Sequence, residues 1–166
     1  MNLSPFQKHD SAALPGVSFT VRRLNYIARC ERDLALLEDR ARMAALIGRM
    51  RELCDGDDVT KPRAGTEQEH RRLDAEYAML HQTRIIPAYI RAGLVSVDGL
   101  TVDGSAADTE AVLAAAPDAL LDEIFAACVA ASDLSEAQRK NWQLPGSSDA
   151  SEAGQTSSTT APAVAE

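Results

Sequence analysis

Alternation comes first along the chain. Val17, Phe19 and Val21 alternate with Ser18, Thr20 and Arg22, the period-two pattern of a half-buried strand. The period then changes. Residues 25–53 contain no proline and are rich in Leu, Ala, Arg, Glu and Met, all good helix formers. They predict one long helix carrying two apolar stripes. Ile27, Cys30, Leu34, Leu37, Ala41 and Ala44 make the first; Leu36, Met43, Ile47, Met50 and Cys54 make the second. Two stripes form a broad apolar face, which predicts more than one neighbour.

Residues 54–65 break the helix with Asp55, Gly56, Asp57, Asp58, Pro62 and Gly65. The acidic cluster lacks the order of ligands, central Gly and distal Glu of a calcium-binding loop, and reads as a solvated loop. Thr66 with Glu69 reads as a capping box opening a second helix. Leu73, Tyr77 and Leu80 give this helix its inner face; Met79, Ile86 and Ile90 extend it. Pro87 falls inside the pattern, predicting a kink, and Gly93 ends it.

In LVSVDGLTVD, residues 94–103, Asp98-Gly99 fits a two-residue type I′ turn. Pairing outward sets Val97 opposite Leu100 and Val95 opposite Val102, with all four on one face, so a β-hairpin is expected. A short helix over 107–115 follows. Pro117 then opens another, to about residue 131, with Leu120, Leu121, Ile124, Phe125, Cys128 and Val129 inward. Ser135 and Gln138 fit the cap of a last short helix ending near Trp142.

The fold class is therefore mainly α with a small β component: a short N-terminal strand, two long helices, one β-hairpin and C-terminal helices. Residues 1–16, polar and without periodicity, read as a flexible arm; residues 17–143 form a single mostly helical domain. Residues 144–166 hold eight Ser/Thr, five Ala and no Lys or Arg. Such a segment buries too little apolar surface to offset its ordering entropy, so a disordered tail is expected.

Composition fits one globular domain: 166 residues, 45% apolar and 25% charged, but only 4% aromatic. The core must therefore rest on Leu, Val, Ile and Ala. Charge is uneven. Residues 1–100 hold 15 basic and 14 acidic side chains, a balance of +1; residues 101–166 hold 2 and 11, a balance of −9, giving the −8 total. An acidic second half disfavours wrapping nucleic acid. Apolar runs fall short of a membrane span. The N-terminal MNLSPFQKHD has no apolar stretch of the signal-peptide kind, so neither a membrane nor a secreted location is expected.

Candidate chemistry is sparse. Cys30, Cys54 and Cys128 are far apart and include no CxxC, which fits reduced core thiols. His9, His70 and His81 have no metal-ligand spacing. Gly93, Gly99 and Gly104 make no phosphate-binding loop. Ser18, Ser96 and Ser132 lack the setting of a nucleophile elbow. Asp57/Asp58 and Asp122/Glu123 read as solvated acids. The Arg residues of the first helix interleave with Glu31, Asp33, Glu38 and Asp39 and are read as pairing with them. No enzyme, cofactor or metal is expected.

The layout as a whole carries a resemblance. A strand ending in FTVRRLNY leads into a long helix; a second helix, VSVDGLTVDG, and ALLDEIFAACVAASDLSEAQRKN follow, then the Ser/Thr/Ala tail. Over residues 17–142 this resembles the tail assembly chaperones of long-tailed, siphovirus-type bacteriophages. The resemblance implies a non-enzymatic protein of the bacterial host cytoplasm that is absent from the mature virion. Such chaperones keep the tape measure protein soluble and present it to the major tail protein. The chain would correspond to the short product of a family in which a frameshifted longer one is common.

The resemblance carries over no individual binding residue. Leu36, Met43, Ile47 and Met50, on the second stripe, are the candidate client-binding residues read from the pattern, with self-association on the client. The alternative for both stripes is packing inside the monomer. Two other functions stay open: another phage structural protein, such as a head–tail completion protein, and a helical DNA-binding protein, such as a small terminase subunit or regulator.

Overall fold

A computed structural model describes residues 5–55, 58–102 and 104–132. The fold is mostly helical with a small sheet component. The helix expected over 135–142 and the tail expected from 144 lie outside the described residues.

Strand β2 (Ser18–Arg22) lies where alternation places it, with Val17, Phe19 and Val21 buried. It is the centre of a three-stranded antiparallel sheet. On one side is β1 (Phe6–Asp10), running from Phe6 opposite Arg22 to Asp10 opposite Ser18. Residues 6–10 of the expected arm are therefore a strand. An edge strand needs no apolar alternation, and β1 has no buried residue. It holds instead through the backbone ladder, a His9 ring stacked 5.4 Å from Phe19, and Lys8 reaching Asp98 at 3.1 Å. Residues 11–14 are also tied down. Glu123 accepts from Ser11 Oγ at 2.6 Å and from the amides of Ala12 and Ala13 at 3.1 and 2.8 Å. Glu123, expected to be merely solvated, anchors this loop.

On the other side of β2 is β3 (Leu94–Asp98), with Phe19 opposite Val97 and a register shift between Thr20 and Val21. The shift leaves Leu94 and Val97 buried and Val95 exposed. The hairpin expected about Asp98-Gly99 does not form. Gly99 has the positive φ of +82°, but it follows β3, which belongs to the first sheet. The tight hairpin lies one VDG later: β4 (Thr101–Val102) pairs with β5 (Ser105–Ala106) around Gly104, at φ +80°. The competing partner was β2, whose apolar face claims Leu94 and Val97.

The long first helix is two helices. Asn25 caps α1 (Tyr26–Ala35), its Oδ1 accepting from the Ala28 amide at 2.8 Å. Leu36 leaves helical geometry (φ −97°, ψ 4°) and buries its side chain, and α2 (Leu37–Glu52) continues beyond it. The break lets α1 pack on a later helix, over Ile86–Gly93, while α2 packs on α3 (Glu67–Leu80). The α2–α3 pair is antiparallel, with Arg42 bonded to Glu76 and Arg49 to Glu69. Between them Leu46, Met50 and Leu73 form a small core.

The α2–α3 connection is structured by its own side chains. Thr66 caps no amide; its single hydroxyl proton is shared between the carbonyls of Leu53 and Arg63, at 2.9 and 2.8 Å. Glu69 is engaged by Arg49, so the capping box is absent although α3 begins where expected. His70 Nε2 lies 2.6 Å from the Val59 carbonyl. Asp58 accepts from the Thr60 hydroxyl and amide and pairs with Lys61, which holds its carboxyl at about 2.

After α3 comes one π turn (His81–Ile85), then α4 (Ile86–Gly93) with Pro87 in its first turn. Where a kink is expected at Pro87, the helix carries a π turn just ahead of the proline, which lacks the amide that would bond back into the preceding turn. Helices α5 (Thr109–Ala115), capped by Asp108, and α6 (Asp118–Ser132) complete the main core. There Val21, Ile90, Val112, Leu120, Ile124 and Cys128 are fully buried.

Candidate interaction surface

The structure divides the four candidate client-binding residues. Leu36 and Met50 are 3% and 5% exposed and belong to the interior. Met43 and Ile47 are half-buried, and Ile47 packs on the small α2–α3 core. Leu46, absent from either stripe, is buried beside them. The second stripe thus faces largely inward, with Leu36 and Met50 covered by the monomer and Met43 and Ile47 partly so.

The other stripe is the surface. Helix α1 has no buried residue. Ile27, Leu34 and Leu37 are 66%, 72% and 61% exposed. Cys30, Ala41, Ala44 and Gly48 are exposed as well. The spacing, 27, 30, 34, 37, 41, 44, 48, alternates three and four, as in a coiled-coil seam. Tyr26, 74% exposed, lies beside its start. The signal separating the stripes was side-chain size on α2. Leu46, Ile47 and Met50 fill the α3 interface, whereas Ala41, Ala44 and Gly48 have too little surface to drive it.

The opposite side of α1 is firmly held. Arg29 donates to the Ser132 carbonyl at 3.2 Å, at the C-terminal end of α6. The Arg32 guanidinium sits 4.1 Å above the Tyr89 ring and pairs with Asp33 at 2.8 Å. Burial pulls the Asp33 carboxyl upward, but hydrogen bonds and charge from Arg32 and Arg40 outweigh it and leave it lowered. Tyr89 and His81 both pack edge-on to Phe125, at 5.3 and 5.4 Å. The exposed stripe is therefore backed by contacts of Arg29 and Arg32 with α6 and α4.

Other chemistry is sparse at the described positions. A groove of about 360 Å³ between α2 and α3 is lined by Arg42, Arg49, Glu69 and Glu76, already joined in ion pairs. Among the described residues no three His, Cys, Asp or Glu side chains group to hold a metal ion, and no helix is long and apolar enough to cross a membrane. Burial pushes the Cys128 thiol up to about 12, and Cys54 is buried while Cys30 is exposed. A thiol reagent should accordingly modify one cysteine rapidly in the folded single chain, at high dilution, and all three after denaturation. Rapid modification of two or more would mean that the core around Cys54 or Cys128 opens.

No protein-family model, curated protein or solved structure matches the chain.

Proposed function

We propose that the protein is a non-enzymatic assembly chaperone that holds a long helical client, the tape measure protein of a bacteriophage tail, in soluble form. The observation that carries this reading is the run of large exposed apolar side chains at helical spacing from α1 into the start of α2: Ile27, Leu34 and Leu37. A seam of that spacing fits the apolar face of another helix. The resemblance to tail assembly chaperones supplies the kind of client, and a host-cytoplasmic location goes with it. The acidic balance of residues 101–166 favours solubility of client-bound copies through mutual repulsion.

The client-binding residues in this reading are Ile27, Leu34 and Leu37, in place of Leu36, Met43, Ile47 and Met50. Co-expression with the cognate tape measure protein tests it. The client should move from the pellet to the soluble fraction and co-purify with several copies of this chain. A client equally insoluble, or equally soluble, with and without the chain would refute the proposal.

A further inference from the structure

The exposed seam has a graded composition. Its first half carries Ile27, Leu34 and Leu37, and its second half Ala41, Ala44 and Gly48. Exposed charges beside it are graded in the same sense. Glu31 and Glu38 flank the first half; Arg40, Arg42, Arg49 and Arg51 flank the second, with Glu52 at the end. Glu31, Glu38 and Arg51 have no ion-pair partner among the described residues, whereas Arg42 and Arg49 pair with α3 and Arg40 with Asp33.

From this grading we infer that two copies of the chain pair antiparallel through the α1–α2 seam when no client is bound. Antiparallel alignment sets each large side chain against a small one and the acidic half against the basic half. In the register that interleaves the seam, Leu34 stands level with Ala44 of the second copy, Leu37 with Ala41, and Cys30 with Gly48. The Arg51 side chain comes over Ile27, near Glu31. Parallel alignment would instead crowd the leucines at one end and leave the Ala and Gly positions facing each other across a gap. It would also set like charges together.

The pairing deepens the functional reading on which its consequence rests: the resting dimer covers the client seam, and a client helix must displace the second copy. An unloaded chaperone then exposes less apolar surface.

The native cysteine reports the register. Light scattering of the full chain at tens of micromolar should give a two-copy mass, and the Leu34→Glu/Leu37→Glu variant a one-copy mass with unchanged helix signal. Under mild oxidation Gly48→Cys should cross-link to a covalent dimer through Cys30 of the other copy, and the native sequence should not. The position is open: a Cβ at Gly48 meets nothing within 4 Å. Native protein that itself cross-links through Cys30 would indicate parallel pairing and overturn the inference, as would a one-copy mass at every concentration. Co-expression separates the two claims. Native monomer that still solubilises the client refutes only the pairing, and a dimer that never does refutes only the chaperone role.

Discussion

Replacing Gly99 with Val is expected to destabilise the protein by about 3 kcal/mol, seen as a fall of about 10 °C in thermal midpoint. Two causes combine. Gly99 has φ +82°, where a β-branched residue is strained. A Cβ there would also lie 2.3 Å from the Gly16 carbonyl oxygen and 3.4 Å from Cα of Val17. Those atoms are backbone and cannot rotate aside, so β3 would have to part from the turn that leads into β2. Gly104→Val is the control. It has nearly the same φ, +80°, but nothing within 4 Å of its Cβ, so it should cost only about 1 kcal/mol of strain. Equal melting points for the two variants would mean that Gly99 does not pack against Gly16.

Adjacent leucines at the α1–α2 break should behave in opposite ways. Leu36→Glu places a carboxylate at a site 3% exposed and removes the packing that fixes the break. The expected loss is about 3 kcal/mol or more, a large share of the stability of a domain this size. Leu37→Glu, at a site 61% exposed, should shift stability by no more than about 0.5 kcal/mol. Circular dichroism melts of the two variants check this directly. A native-like melt for Leu36→Glu would place the second stripe on the surface and return Met43, Ile47 and Met50 to candidacy as client contacts.

Much of the fold could be read locally. The alternation around Phe19, the stop at Pro117, and the apolar positions of α6 depend on neighbours a few residues away, and each element lies where the pattern places it. What could not be read was decided at long range. FQKHD carries no apolar alternation, and it becomes β1 only because β2 offers a free edge and Glu123, more than a hundred residues later, binds the following loop. VDG occurs twice in VSVDGLTVDG, and turn chemistry alone cannot rank the two. The first loses because Leu94 and Val97 are buried against β2. The candidate surface was inverted for the same kind of reason. Both stripes have helical spacing, and only the packing of α3 on Leu46 and Met50 determines which one faces in.

The position of the working surface is most directly tested by the soluble yield of the cognate tape measure protein co-expressed with the native chain and with its Leu34→Glu/Leu37→Glu variant. The exposed-seam account predicts a folded variant with the native helix signal, with the client returned to the pellet and no co-purified complex. A folded variant that keeps the client as soluble as the native chain does would contradict it.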